Sequence, residues 1–292
     1  MLAFGKVAQR ERVLYISDSP QGRTPMSIVA SVKVYDGIVI GAESMTQLFA
    51  NVGGIGQHIK SYSHAQKIFR IADLPVGALT YGGGNIGNRS MESFVHEFSQ
   101  AERQRAEDEK TVEAITTRLL NFLRDYYHRG FGNLPEPQRP VIGFYVAGYS
   151  PNQPLASEWE FVLPHAQAPA RARDDQLVGA SWRGVGVPFT RLFFGVDPRV
   201  DQILTGLGMN QATLVRFRQA VNEQLMSRVA FDGMPIQDAI TFCKYILDTT
   251  IGAATYEIGV PSCGGPVNIA VITRAGFEWI SHPKYTLPTA QG

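Results

Sequence analysis

Short runs of β-branched and aromatic residues dominate the first third of the chain and predict β-strands. The segment 27–40 holds two such runs around Tyr35-Asp36-Gly37. An Asp-Gly pair between apolar runs is a strong hairpin signal. A loop is predicted over 53–57, followed by strands over 65–71 and 76–81. We therefore expect antiparallel strands in this part of the chain.

Apolar residues then recur at helical spacing. A helix is predicted after Asn88-Arg89-Ser90, with apolar positions from Met91 to Phe98, and a second helix carries the stripe from Val112 to Tyr126. Further strands are predicted over 141–149, 159–163 and 176–183, helices over 188–194, 211–229 and 235–253, and final strands over 267–273 and 277–281. The segment 195–232 has room for one inserted helix.

This order of elements predicts an α+β fold. Strands, two helices, strands, helices and strands are expected in a four-layer αββα sandwich, in which helices cover the outer faces of two antiparallel sheets. Residues 27–292 are interpreted as one such domain. Residues 1–26 are interpreted as a leader or an upstream extension.

Composition and charge exclude several function classes. The chain has 292 residues, of which 44% are hydrophobic and 18% charged, so it can bury a large core. A net charge of +1 provides no general attraction to nucleic acid or to an anionic membrane. No stretch has the length of a membrane span, and residues 1–26 have no apolar run typical of a signal peptide. We expect a cytoplasmic protein.

Histidine and cysteine spacing indicates no metal or cofactor. The six histidines show no close ligand spacing. The two cysteines, Cys243 and Cys263, suggest a reducing compartment rather than a disulfide scaffold. Arg171 and Arg173 are followed by Asp174 and Asp175, and this local cancellation of charge predicts a solvated loop.

Three polar residues are expected to meet at one end of a sheet. Folding the first hairpin brings the segment from Glu43 to Thr46 level with Ser27. Lys67 opens the next strand-like run, Q-K-I-F-R-I. A hydroxyl, a carboxylate and an ammonium can therefore converge there.

The ordered set of motifs resembles the proteasome β-subunit branch of the N-terminal nucleophile (Ntn) hydrolases. The strings that match are G-I-V-I-G-A-E-S from Gly37, K-I-F-R-I from Lys67, the glycine run from Gly82, G-G-P-V-N-I from Gly264 and R-A-G from Arg274. Together they span residues 27–283. On this resemblance the chain is identified as a proteasome β-subunit-like protein, a bacterial proteasome homologue.

The resemblance implies a peptidase. Ser27 would be the nucleophile, with its own α-amino group, which titrates near ~7.7 to 8.0, as the base. Lys67 would stabilise the alkoxide, and Glu43 would hold the ammonium. The N–H of Gly82 would bind the oxyanion. Phe69 and Thr80 are expected to line the pocket for the residue that precedes the cut.

The resemblance also implies partners. The substrate would be a peptide or an unfolded protein, cleaved through an acyl-enzyme ester. The subunits would form a homo-oligomeric ring, single or stacked, and the identity of an ATPase unfoldase stays open. Neither nucleic acid nor membrane is an expected partner.

Two alternatives follow from departures from the family pattern. Ser27 is not residue 1, so either the bond between Met26 and Ser27 is cleaved autocatalytically, or translation starts at Met26 and this methionine is removed. Positions where the family has helper residues hold Val185, Val260 and Cys263, which favours the alternative of a ring or scaffold subunit with weak or no peptidase activity.

A minor alternative is nucleotide binding. The segment from Gly82 to Gly87 satisfies G-x-G-x-x-G, the glycine fingerprint of dinucleotide-binding proteins. The region about twenty residues further on is polar and helix-like, whereas the fingerprint requires a second strand with an acidic residue there. A lone match of this kind is weak.

Overall fold

The computed structural model describes residues 13–16, 27–52 and 55–282. The strands are β1 (Val13–Ile16), β2 (Ile28–Val34), β3 (Gly37–Glu43), β4 (Thr46–Val52), β5 (Ile55–Tyr62), β6 (Ile68–Arg70), β7 (Val76–Gly82), β8 (Asn85–Ile86), β9 (Arg89–Ser90), β10 (Ile142–Gly148), β11 (Ser157–Leu163), β12 (Ala170–Arg173), β13 (Gly179–Gly184), β14 (Val267–Thr273) and β15 (Gly276–Ser281). The helices are α1 (Met91–Glu102), α2 (Val112–Phe131), α3 (Val187–Phe194), α4 (Val200–Gly206), α5 (Gln211–Gln224) and α6 (Ile236–Thr255).

Two sheets form the middle of the protein. The first sheet has six strands in the order β1-β13-β2-β3-β14-β15, and the second has five in the order β12-β11-β10-β7-β6. All pairs are antiparallel except β1 with β13, which is parallel. The inner faces of the sheets meet in an apolar core that includes Ile38, Ile40, Leu79 and Ala270.

Helices cover both outer faces. Helix α6 packs on β2, β3 and β14 of the first sheet, and α3 packs against α6. Helix α2 lies on β10 and β11 of the second sheet, with α1 beside it. Each helical layer has its own apolar cluster beneath it. The predicted four-layer αββα sandwich is therefore confirmed.

The first hairpin is confirmed, with a shifted turn. The exposed turn residues are Tyr35 and Asp36, and Gly37 already pairs with Val34 as the first residue of β3. A Cβ on Gly37 would lie 2.7 Å from the carbonyl oxygen of Ile272. The glycine is therefore required by the close approach of β14.

The helix predictions agree with the structure, except that the helix predicted over 211–229 is α5, which ends at Gln224. The Ser90 hydroxyl accepts the N–H of Ser93 at 3.3 Å and caps α1. The Thr111 hydroxyl caps α2 through Ala114 at 3.2 Å. The predicted insertion within 195–232 is α4, followed by α5.

Two predicted loops are wrong in part. Residues 55–57, predicted as loop, belong to β5, which pairs with β4 in a separate two-stranded sheet. Arg173, predicted in a solvated loop, is 4% exposed in β12 and donates from Nε to Glu158 at 2.8 Å. The partner of this arginine comes from β11, so the cancellation of charge within 171–175 was misleading.

Most of the predicted leader lies outside the described residues. Its residues 13–16 form β1, which pairs with residues 180–183 of β13. The division of the chain at residue 27 stays a prediction. Within the residues that the structure describes, no helix has the length and apolar character needed to cross a bilayer.

Candidate active site

Ser27, Glu43 and Lys67 meet at one end of the sandwich. Ser27 directly precedes β2, Glu43 ends β3, and Lys67 directly precedes β6. Strands β2 and β3 are neighbours in the first sheet, while β6 belongs to the second. The antiparallel pairing of β2 with β3 places the beginning of one strand beside the end of the other. The site therefore bridges the two sheets.

The Lys67 ammonium uses all three of its donors. It donates to Ser27 Oγ at 2.7 Å, to the Met45 carbonyl at 2.5 Å and to Glu43 Oε1. A protonated lysine has three N–H groups and no lone pair. The three contacts match the three N–H groups of an ammonium, and the ion pair with Glu43 favours that form. As an ammonium, Lys67 points a donor at the serine hydroxyl and has no lone pair with which to accept the serine proton.

Glu43 is fully buried and anchors the ammonium. Its Oε2 accepts the N–H groups of Met45 at 2.7 Å and of Gly264 at 3.1 Å, while Oε1 accepts from Lys67. A buried carboxylate needs such compensation because burial of an unpaired charge is costly. The carboxylate therefore connects β3 and the segment before β14 to Lys67.

The backbone of Ser27 is constrained on both sides. Its N–H donates to the Ser262 carbonyl at 3.2 Å, and its carbonyl accepts the N–H of Val185 at 2.8 Å. Its φ is 79°, in the left-handed region that disfavours residues other than glycine. A strained conformation of this kind costs of the order of 1–3 kcal/mol and is often found at functional sites.

The three residues adjoin a cleft with a volume of about 370 Å³. Ser27, Lys67, Thr80 and Gly82 line it, as do Gln47, Met91 and Ser262 among others. Neutral side chains dominate the lining, and Lys67 and Glu92 are its charged members among the described residues. The cleft therefore suits an uncharged segment of substrate.

The N–H of Gly82 faces the same side as the Lys67 segment. Thr80 donates its N–H to the Lys67 carbonyl at 3.0 Å, and Gly83 donates in the opposite direction, to Val141 at 2.8 Å. Donors alternate in direction along a strand, so the Gly82 N–H shares the direction of Thr80. Its φ of 83° and a Cβ that would lie 2.3 Å from the Val141 carbonyl oxygen require glycine. The donor is thus directed toward the cleft.

The two predicted pocket residues differ in place. Thr80 lines the cleft, is 4% exposed and donates from Oγ1 to the Gly143 carbonyl at 3.2 Å. Phe69 belongs to the apolar core beneath α1 and α2. It is not among the residues that line the described cleft. The prediction for Phe69 is therefore wrong: its neighbour Ile68 belongs to the core between the sheets, so alternation along β6 places Phe69 on the outer face, under the helices.

The three departures in helper positions lie around the site. Val185 contacts Ser27 through the backbone hydrogen bond described above, and its side chain belongs to the core under α6. Val260 is 51% exposed. Burial, together with the Glu43 carboxylate, raises the pKa of the Cys263 thiol to about 12, against the opposing effect of Lys67. Cys263 therefore stays a neutral thiol at physiological pH.

The segment 261–264 is a part of the site that the sequence analysis missed. The Pro261 carbonyl accepts from Gln47 at 2.6 Å, the Ser262 carbonyl from Ser27, and the Gly264 carbonyl from Met45 at 2.9 Å. These contacts are to backbone atoms, which carry no residue pattern. The only sequence signal was the Gly264-Gly265 pair beside Cys263.

The glycine-rich segment 82–87 does not form a dinucleotide-binding unit. Strand β7 pairs antiparallel with both β6 and β10. Residues 85–86 and 89–90 then form a short hairpin before α1 begins at Met91. The fingerprint requires a parallel βαβ unit with the helix starting at the glycines, so the nucleotide-binding alternative lacks its structural context.

The fold and the site together define an αββα protein with a buried serine, lysine and glutamate at the end of its sheets. No family model matches the chain, and no curated protein matches it. Among solved structures, the chain is similar to Anbu (ancestral beta-subunit) from Yersinia bercovieri. The similarity covers 87% of each chain at 10% sequence identity, with a TM-score of 0.49.

These comparisons correct the identification made from the sequence. The assignment to the proteasome β-subunits, as a bacterial proteasome homologue, is wrong, because no family model matches and the structural similarity is too low to establish kinship. The physical reason is that each matching string is short and apolar. Such strings are what any sandwich of antiparallel strands and glycine turns contains. The fold class and the site geometry stand on the structure itself.

Proposed function

We propose that the protein is an amide hydrolase, cleaving peptide bonds, whose nucleophile is Ser27 at a freed amino terminus. One observation carries the proposal: Lys67 donates a hydrogen bond to Ser27 Oγ while its other two donors are engaged. In its ammonium form, Lys67 stabilises an alkoxide and has no lone pair with which to act as the base. The nearest group that can take the proton is the amine that release of Ser27 would create.

The reaction then has two halves. The α-amine takes the hydroxyl proton, Ser27 Oγ bonds to the substrate carbonyl carbon, and the negative charge develops on the carbonyl oxygen opposite the Gly82 N–H. The carbon–nitrogen bond breaks as the protonated amine passes its proton to the leaving nitrogen. Water, deprotonated by the same amine, attacks the ester, and the acid product leaves with Ser27 Oγ protonated again.

Release of Ser27 is a required step, and both routes stay open. The positive φ of Ser27 supports cleavage of the bond between Met26 and Ser27, because hydrolysis there relieves a strained serine. Initiation at Met26 followed by removal of this methionine yields the same terminus. Either route produces the amine that the mechanism needs.

The lining of the cleft supports a neutral peptide segment as substrate. Support for the assembly of subunits into a ring comes from the exposed surface. Apolar side chains stand exposed outside the cleft, among them Leu207 at 79%, Tyr256 at 89% and Ile258, which is fully exposed. Tyr256 and Ile258 lie close together in the sequence, and a contiguous apolar patch there would provide a surface for association between subunits. We include in the proposal a homo-oligomeric ring in the cytoplasm that acts on peptides or unfolded proteins.

A specific observation favours a second candidate, a scaffold subunit without activity. Val185 contacts Ser27 through its backbone N–H, and its apolar side chain provides no hydrogen bond to the nucleophile, while Cys263 provides only a neutral thiol near Lys67 and Glu43. A neutral thiol is a weak hydrogen-bonding group. In this candidate the lysine and glutamate serve only to join the sheets.

The experiment uses protein whose translation starts at Met26, with the mass of the chain measured to establish that Ser27 is its first residue. Hydrolysis is assayed on a pool of fluorogenic peptides, with Ser27→Ala as the matched control. If the protein is a hydrolase, the peptides are cleaved, and Ser27→Ala abolishes this turnover. The scaffold predicts the same background rate for both proteins although the amine is free.

A further inference from the structure

Ser262 presents a hydroxyl with unused hydrogen-bonding capacity beside the nucleophile. The residue is 7% exposed and lines the cleft together with Ser27. Its Oγ is buried and lacks a well-formed hydrogen bond among the residues that the structure describes; its neighbour is the Cys263 thiol, a weak hydrogen-bonding group whose pKa it lowers. Buried hydroxyls are almost always paired, and an exception calls for a functional reason.

The covalent state of Ser27 supplies that reason. In the unprocessed chain the Ser27 nitrogen is a peptide nitrogen with a single N–H, and that N–H already donates to the Ser262 carbonyl at 3.2 Å. Release of the amino terminus gives the same nitrogen a second N–H and a lone pair. In the unprocessed chain, Ser27 therefore provides a single N–H, whereas Ser262 has two oxygen atoms, the carbonyl oxygen and Oγ, that can accept.

We propose that Ser262 is a positioning residue whose hydroxyl accepts the second N–H of the released Ser27 amine. With one N–H on the Ser262 carbonyl and the other on its Oγ, the lone pair of the amine is left to face the Ser27 hydroxyl. This inference rests on the proposed function. It assigns the orienting role to residue 262, since Val185 and Cys263 cannot perform it.

The charged and titratable groups around this amine come from several elements. Lys67 precedes β6 and Glu43 ends β3, and they form the ion pair described above. Cys263 follows Ser262 directly, and Glu257 lies close enough to raise the pKa of the Cys263 thiol. A hydroxyl that accepts from the amine favours its protonated form. Loss of the Ser262 hydroxyl therefore lowers the pKa of the amine.

The test compares rates of covalent labelling by a β-lactone probe between about pH 5.5 and 9.5. Protein with a verified Ser27 terminus is compared with its Ser262→Ala, Ser262→Thr and Ser44→Ala variants. Ser44 is the matched control because its buried hydroxyl contacts the Ser63 and Pro266 carbonyls at 2.8 and 2.7 Å. It supports the same segment without facing the amine.

We expect Ser262→Ala to label about five- to tenfold more slowly on the plateau, as the loss of one hydrogen bond implies. Its midpoint should move to lower pH by about half a unit. Ser262→Thr should retain the wild-type midpoint, and Ser44→Ala should not shift it.

Two results overturn the inference. One is a Ser262→Ala profile identical to wild type, and the other is slower labelling with an unmoved midpoint, as a merely structural role predicts. If Ser262→Ala does not fold, Ser262→Cys replaces it under the same criteria. Failure of the wild type to label although its amine is free contradicts the proposed function instead, so the two failures are distinguishable.

Discussion

Two buried polar clusters join the same pair of sheets, and they differ in access. The site cluster consists of Ser27, Glu43 and Lys67. The second, here called the seam, links the first sheet to the second sheet through Ser31, Tyr145, Glu158, Glu160, Arg173, Ser181 and Arg183. Both contain ion pairs with little solvent exposure. Burial of charge alone therefore does not distinguish a reactive site in this protein.

The seam and the site cluster differ in whether their residues line the cleft. In the seam, Glu158 accepts from Arg173, Tyr145 and Ser31, and the guanidinium of Arg183 lies 4.3 Å from the centre of the Tyr145 ring. No seam residue lines the cleft at the described site. Ser27 and Lys67 do line it. The comparison distinguishes a seam that only joins the sheets from a site cluster that adjoins a cleft, as the proposed hydrolase requires.

Ser27→Ala should produce the largest effect. Loss of the nucleophile is expected to reduce peptide turnover by at least about 10³-fold, because the members of such a catalytic group act as a unit. Thermal unfolding should change little. Turnover and melting temperature are measured on the same preparation, and undiminished turnover would remove the chemical role from the site cluster.

Glu158→Gln should produce the next largest effect, on stability instead of on activity. Removing the charge of Glu158 breaks its buried ion pair with Arg173 and is expected to cost about 3–5 kcal/mol of unfolding free energy. The rate of probe labelling per folded molecule should stay at the wild-type value. Chemical denaturation measures the first quantity. Glu107→Gln, which removes an exposed partner of Lys110, is the control and should cost far less.

Acid should weaken the seam through Glu158. Although burial opposes it, the cations Arg173 and Lys33 and the Tyr145 hydroxyl bring the pKa of Glu158 below the ordinary value for a glutamate. A lowered pKa in the folded state stabilises the protein above the unfolded pKa, and this contribution is lost as pH falls through the folded value. Unfolding free energy measured from pH 6 downward should therefore decline less steeply in Glu158→Gln. Parallel pH profiles for the two proteins would contradict this assignment.

The two thiols should give the smallest effect. Burial raises the pKa of Cys243 and of Cys263 to about 12, well above the ordinary value for a thiol. The stabilisation is complete below the unfolded pKa, and it is lost as pH rises through the folded value. A thiol reagent at pH 8 should modify both cysteines only after unfolding. Rapid modification of Cys263 in the native protein would show that the site is more open than described.

The hairpin and the site cluster could be predicted because their signals are local. The alternation of residues in β2 and β3 fixes which end of the sheet holds Ser27 and Glu43, and Lys67 opens the next buried run. The predicted place of Thr80 at the cleft agrees with the structure for the same reason. Local pattern thus identified most of the elements and the meeting of Ser27, Glu43 and Lys67, while the catalytic roles of these residues stay a prediction.

What could not be predicted depends on distant partners. Arg173 looked neutralised by Asp174 and Asp175, but its buried partner is Glu158, 15 residues upstream. The contacts of segment 261–264 are made by backbone carbonyls, which any residue provides. Family membership failed as a prediction because strands and glycine turns are common to unrelated sandwiches. Each miss concerns a relation between segments that a single sequence does not display.

The most direct test of the account is the location of the probe adduct in protein that begins at Ser27. After β-lactone labelling and digestion, mass spectrometry should place one adduct per chain on the amino-terminal peptide, at the Ser27 hydroxyl. Lys67→Met should greatly reduce it. An unlabelled Ser27 with a verified free amine, or an adduct on another residue, would contradict the assignment of Ser27 as the nucleophile.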